Sequence, residues 1–170
     1  MNITIRHAEP DDKDKILEIK RLGWLFAYSH IFGEENIKNH FAKKFSNPDY
    51  HKEQIEIINT NPHNYVAVCK TEVVATMTIK PILQEDDYIE VLCLYVHPNK
   101  NKLGIGSNLF ELAKNIAKEN NKQKIHIEAL KENHIGCAFY QKHGGKPFNS
   151  RFRECCGINA EMITFEFDVK

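Results

Sequence analysis

Tyr88-Ile-Glu-Val-Leu-Cys-Leu-Tyr-Val-His-Pro98, Asn99-Lys-Asn-Lys-Leu-Gly-Ile-Gly-Ser107 and Asn108-Leu-Phe-Glu-Leu-Ala-Lys-Asn-Ile-Ala-Lys118 follow one another without a break. The first piece is rich in β-branched and aromatic residues and stops at a proline, so it reads as a strand. The last has Leu109, Leu112, Ala113, Ile116 and Ala117 at helical spacing, with Glu111, Lys114 and Lys118 opposite, so it reads as an amphipathic helix. Between them lies a loop with two glycines and two lysines. A strand, a glycine loop and a helix N-terminus present free N–H groups and the positive end of the helix dipole, which together suit an anion.

Two common phosphate loops fail on spacing. A Walker loop needs Gly-Lys-Ser/Thr, but Gly106 is followed by Ser107 and Asn108. A dinucleotide fingerprint needs a third glycine three residues after Gly106, where Leu109 stands, and no ribose-binding acid is obvious further on.

Outward from this stretch, Asn2–Arg6 alternates as a short strand, and the acids after Ala8 start a helix with Ile16, Ile19 and Leu22 on its apolar face. Gly23 is expected to loosen its end. Trp24, Phe26, Tyr28, His30 and Phe32 then crowd together, as core packing or as a pocket wall. Glu34–Phe45 and Tyr50–Ile58 read as helices separated by Asn47-Pro48. Asn64–Lys70, Val73–Lys80 and the central strand form an antiparallel meander with short turns. The helix after Ser107 leads to a strand at Lys124–Leu130, and a crossover of this length implies parallel neighbours. Asn133 caps a helix ending at Gly144-Gly145, and Pro147–Cys155 and Asn159–Val169 close the chain as two strands. One domain over residues 1–170 is expected, built on one mixed sheet with helices on both faces.

The 170 residues carry 23 basic and 23 acidic side chains, so no basic face suggests nucleic acid. No cationic-apolar leader and no apolar run of bilayer length occur, so a cytoplasmic protein without a membrane segment is expected. Five cysteines with no Cys-x-x-Cys pair read as reduced thiols, and nine scattered histidines give no metal-ligand spacing, so no metal is expected.

The strand ending Leu94-Tyr95-Val96-His97-Pro98 and the loop Asn101-Lys102-Leu103-Gly104-Ile105-Gly106 resemble the acyl-CoA loop of the GNAT (Gcn5-related) N-acetyltransferase superfamily, written Gln/Arg-x-x-Gly-x-Gly/Ala, with Asn101 departing from the usual first residue. Asn133-x-x-Gly136-x-x-Phe139-Tyr140-x-x-x-Gly144 is similar to that family's second motif. The resemblance covers about residues 60–170 well. It implies an α/β (α+β) GNAT fold: a central mixed, mostly antiparallel sheet with splayed parallel strands and helices on both faces. It implies an acetyl-CoA-dependent N-acetyltransferase that transfers the acetyl group directly to a primary amine. The acceptor is expected to be a small molecule; the alternatives are a protein N-terminus or lysine, or a non-catalytic acyl-CoA-binding module.

By the same resemblance the pantetheine arm pairs with the backbone of Leu94, Tyr95 and Val96. The pyrophosphate sits on the N–H groups of Asn101, Lys102, Leu103, Gly104, Ile105 and Gly106, with Ser107 close by. Asn133 and Phe139 complete the cofactor site. Tyr140 is the expected general acid, since an unperturbed phenol, titrating near 10, is protonated at neutral pH. Glu90 is the expected base, on a face shared by period two with Leu92, Leu94 and Val96. Trp24 and Tyr28 match a Trp-x-x-x-Tyr pattern that lines the acceptor pocket in many GNAT proteins. A cationic acceptor calls for acids, for which Glu34, Glu35, Asp86 and Asp87 are candidates. Homodimers are common in that family, although no stretch of this sequence marks an interface.

Overall fold

A computed structural model describes residues 3–169. Five strands and five helices precede a C-terminal hairpin. β1 (Ile3–His7) leads through a 3-10 turn at Pro10–Asp12 to α1 (Lys13–Phe32), α2 (Glu34–Phe45) and α3 (Pro48–Thr60). β2 (Asn64–Cys69), β3 (Glu72–Ile79) and β4 (Tyr88–Val96) follow. α4 (Ile105–Glu119), β5 (Lys124–Leu130), α5 (His134–Lys142), β6 (Lys146–Cys155) and β7 (Ile158–Asp168) complete the chain. The first strand was expected over Asn2–Arg6; Asn2 lies outside the described residues.

The sheet order is β1-β2-β3-β4-β5-β7-β6, and every neighbouring pair is antiparallel except β4 and β5. The mixed, mostly antiparallel sheet expected from the sequence is therefore found. α4 makes the long crossover that the parallel pair β4 and β5 requires. Its apolar stripe (Ile105, Leu109, Ala113, Ile116) is buried against Ile89, Val91, Ile125 and Ile127, with Phe110 and Phe167 filling the same core. The opposite face of the sheet packs on α1, where Ile16 and Ile19 meet Val66 and Tyr95.

α1 does not end at Gly23. It runs on to Phe32, and the glycine is buried mid-helix because the ring of Tyr95 lies on it. A Cβ at Gly23 would stand 2.7 Å from Tyr95 Cδ1. Trp24, Tyr28 and Phe32 therefore lie one turn apart on a single helical face, not in a connecting segment. Asn47 and Pro48 end α2 and also start α3, with Asn47 Oδ1 accepting the Asp49 N–H at 3.0 Å and Pro48 in the first turn.

The connection from β3 to β4 is held by one buried lysine. Lys122 Nζ donates to the carbonyls of Leu83 (2.6 Å), Gln84 (3.3 Å) and Asp86 (2.6 Å). Replacing it frees three acceptors at once. Lys122→Ala is expected to cost about 2 kcal/mol, read as a lower midpoint in urea unfolding.

Candidate active site

β4 and β5 pair only from Tyr88↔Lys124 to Val91↔Ile127. Beyond that point they part. On its other side β4 stays bonded to β3, but the register slips: Thr78 faces Cys93, Ile79 faces Val91, and Leu92 is the extra residue of a bulge. The peptide groups of Leu92–Val96 that would have faced β5 thus open into a cleft of about 800 Å³. An extended ligand can meet them as an added strand would.

The bulge also resets which side chains share a face. Leu94 and Val96 pack on the α4 core with Ile89 and Val91, whereas Tyr95 packs toward α1. Glu90 is therefore not on the face of Leu94 and Val96, contrary to the period-two reading. Its carboxylate sits 3.2 Å from Lys80 Nζ, and it lines neither the cleft nor the smaller cavity beside it.

One wall of the cleft is the loop after β4. Gly104, in the left-handed region at φ 78°, sets the turn into α4, and Lys102 shares that conformation at φ 64°. Among the described residues, the N–H groups from Lys102 to Ser107 meet no protein acceptor, while Asn108 N–H bonds Gly104 O at 3.0 Å. This is a set of six donors at a helix N-terminus. Asn101 differs from the expectation, since its N–H bonds Pro98 O at 3.2 Å and is spent within the preceding turn. Asn101, Lys102, Gly104, Ile105, Gly106 and Ser107 line the cleft; Leu103 points away and is exposed.

The other wall is α5. Asn133 caps it, accepting the Gly136 N–H at 3.0 Å, and its amide nitrogen reaches the Tyr28 hydroxyl at 3.5 Å. Gly136 is needed there, because a Cβ would come within 2.5 Å of Asn133 Nδ2. Asn133, Phe139 and Tyr140 all line the cleft, as do Leu94, Tyr95, Val96 and Tyr28. Tyr140 packs against Phe165 and Phe167. Burial, with Tyr28 and Cys93 adding, pushes its hydroxyl upward from the ordinary phenol value. Tyr28 and Tyr95 are moved in the same direction, again chiefly by burial.

Two cleft residues were not foreseen. His143, one turn beyond Phe139, bonds Phe139 O through Nδ1 at 2.8 Å and Ser107 Oγ through Nε2 at 3.0 Å. A carbonyl only accepts, so Nδ1 carries the proton, and in the neutral ring Nε2 accepts from Ser107. The helical spacing from Phe139 was the available signal. Glu128, on β5 beyond the last pair with β4, also lines the cleft, with Arg151 across both carboxylate oxygens at 2.6 and 2.9 Å. Nothing local in the sequence marks it.

Trp24 stands outside the main cleft. Its Nε1–H donates to Tyr95 Oη at 2.9 Å, and its ring helps to line the second cavity, of about 390 Å³, which shares Leu92, Cys93 and Tyr95 with the cleft. Glu34, Glu35, Asp86 and Asp87 line neither space. Among the described residues no group of three His, Cys, Asp or Glu side chains is arranged to hold a metal, and no helix is long and apolar enough to cross a membrane.

A parted pair of parallel strands, a phosphate-sized nest of donors at one end and a buried phenol at the other define an acyl-carrier-dependent transferase. Residues 29–145 match the family described as "Acetyltransferase (GNAT) family", and the chain belongs to that family. It is an N-acetyltransferase with acetyl-CoA as the donor. It is 26% identical over 152 residues to a spermidine N(1)-acetyltransferase of Thermoplasma acidophilum, covering 86% of this chain and 89% of the relative. The PaiA N-acetyltransferase of Thermoplasma acidophilum, solved with coenzyme A, superposes with a TM-score of 0.80 at 24% identity, over 99% of each chain. The ribosomal-protein-S18-alanine N-acetyltransferase of Escherichia coli superposes at 0.68 and 15% identity, over 99% of this chain and 94% of that one. The curated relative is named for spermidine and the Escherichia coli structure for a ribosomal-protein alanine, so the acceptor has to be argued from the pocket.

Gly23→Ala is expected to destabilise the protein by about 1–3 kcal/mol, although alanine is the better helix former by about 1 kcal/mol, because the ring of Tyr95 must move. Thermal unfolding of the variant checks this.

Proposed function

We propose that this enzyme acetylates a primary amine on a small molecule, with Tyr140 as the general acid. The observation that carries the reading is the meeting of the two cavities along Leu92, Cys93 and Tyr95. One is long and runs from the donor nest to Tyr140. The other is of small-molecule size and abuts the same bulged segment of β4. The likeness to a spermidine N(1)-acetyltransferase supports a small amine as acceptor.

Acetyl-CoA supplies the thioester. The N–H groups of Lys102–Ser107 bind its pyrophosphate, aided by the N-terminal dipole of α4. The free edge of Leu94, Tyr95 and Val96 holds the pantetheine amides, and Asn133 and Phe139 close over them. The Ser107 hydroxyl donates a hydrogen bond to His143 Nε2 when that ring is neutral, so it points toward the histidine and not toward the ligand. Tyr140 keeps its proton through the neutral range and delivers it to the departing sulfur. Glu90 is not assigned the base role: it lies outside both cavities on Lys80, and the bulge turns it from the cleft face. Glu128 is held by Arg151. The amine therefore gives its proton to water in the open cleft.

Acetyl-CoA at about a hundredfold excess over Kd should raise the melting midpoint by about 5–10 °C, with NAD and ATP leaving it in place. Tyr140→Phe is expected to lower kcat about a hundredfold while that shift persists. Glu90→Gln should leave kcat/KM within about threefold of the parent, because no proton passes through it. A protein that binds acetyl-CoA but turns over no amine would be a binding module, and the transferase reading would fall.

The pH profile follows from the burial of Tyr140. Folding favours the neutral phenol, so its ionisation is displaced above the value of an unfolded tyrosine. Below about pH 10 it is protonated in both states and its burial adds no pH dependence to stability; above that, the unfolded chain ionises first and stability falls. Accordingly kcat should show no descending limb below about pH 10, measured over the range in which the fold is intact.

A further inference from the structure

The charged side chains that line the second cavity are all positive. It lies between α1, α2 and α3 and the sheet face that carries Cys93 and Tyr95, and its wall includes Lys13, Lys20, Lys44 and Arg153 but no aspartate or glutamate. Two of these cations have acidic neighbours: Lys13 Nζ is 3.1 Å from Asp14, and Arg153 Nη1 is 3.9 Å from Glu128. Lys20 and Lys44 have no carboxylate at ion-pair distance among the described residues. Lys44 lies over the ring of Tyr50, 5.6 Å from its centroid. Burial, together with the charges of Lys20 and Arg153, holds its ammonium below the ordinary lysine value, against a weaker opposing pull from Cys156 and Glu53. Two cations that face one space without counter-ions repel each other, and a bound anion removes that repulsion.

Between the cations and the bulge the wall is apolar and aromatic, with Ile16, Leu17, Trp24 and Phe41. The amine must arrive at the other end, where Leu92, Cys93 and Tyr95 belong to both cavities. The expected carboxylates for a polycationic acceptor are elsewhere: Glu34 is paired with Lys38 at 2.6 Å on the start of α2, and neither it nor Glu35, Asp86 or Asp87 lines the space.

We propose that the acceptor is a small primary amine that also carries a carboxylate or a phosphate, with an apolar stem between the two groups, and that Lys20 and Lys44 receive the anion. This rests on the transferase reading above and departs from a polyamine acceptor. A polyamine would bring additional positive charge against Lys20 and Lys44 with no acid to receive it.

The test is calorimetric titration of the CoA-saturated protein with 4-aminobutyrate, 4-aminobutanamide, phosphoethanolamine and spermidine. The acid is expected to bind at least about tenfold more tightly than its amide, and spermidine least of all. The relative affinity of the carboxylate and the phosphate identifies which anion the pocket takes. Lys20→Glu with Lys44→Glu should abolish the preference for the acid and raise affinity for spermidine, with acetyl-CoA binding unchanged. Both lysines lie outside the acetyl-CoA cleft, so the acetyl-CoA thermal shift reports the transferase reading separately. Tightest binding by spermidine, no preference for either anionic amine over the uncharged amide, or indifference to the charge reversal would each overturn the proposal.

Discussion

The active site depends on where two parallel strands stop bonding. β4 and β5 share hydrogen bonds for four residue pairs and then separate, and the bulge at Leu92 falls at that same point. A bulge increases local twist and bends the strand that carries it. Here it turns β4 away from β5 while leaving it bonded to β3, so unpaired peptide groups persist in the middle of a sheet without creating an outer edge. Unpaired backbone inside a protein is costly unless water or a ligand meets it. The open edge is thus a weakness of the fold unless something occupies the cleft it lines. The donor loop follows directly from the end of the same strand, so its position is set by the same bend.

The opposite face of β4 is fixed by α1. Tyr95 is pressed into the helix at Gly23 and accepts a hydrogen bond from Trp24. Because Tyr95 borders both cavities, the packing of a helix on a sheet also sets the partition between them. Rings continue this contact outward: Trp24 stacks on His40 and meets Phe41 edge-on, which ties α2 to the same wall. Such aromatic contacts add modest energy beyond area burial, and their geometry is specific.

Much of this was legible in the sequence. Strand β4, the glycine loop and α4 were readable because their signals are local: β-branched residues, a stop at Pro98, left-handed glycine at the turn and a regular apolar stripe. The cap at Asn133 was readable for the same reason. The bulge was not, because it is a relation between Thr78–Ile79 and Val91–Cys93 and not a property of either strand. Without it the side of the sheet taken by Glu90 was misassigned. Gly23 was misread as a helix end, since the ring that requires a glycine there comes from a strand far along the chain. Asn101 reads as a free donor by its place in the loop, but a tight turn with Pro98 consumes its N–H. Leu103 was grouped with the loop although its side chain faces outward. The charge of the second cavity was illegible for a related reason: its lysines come from α1 and α2, and its arginine from β6.

Lys122 has a consequence for an enzyme that works beside a reactive thioester. An amine attacks an acyl group through a lone pair, and solvent-facing lysines reach that state whenever they lose a proton. The Lys122 side chain is buried, and its nitrogen is enclosed by the three carbonyls it bonds, so it does not face solvent. An acyl donor in solution therefore has no path to this side chain. The lysine whose loss would loosen the approach to β4 is shielded from the chemistry the protein performs.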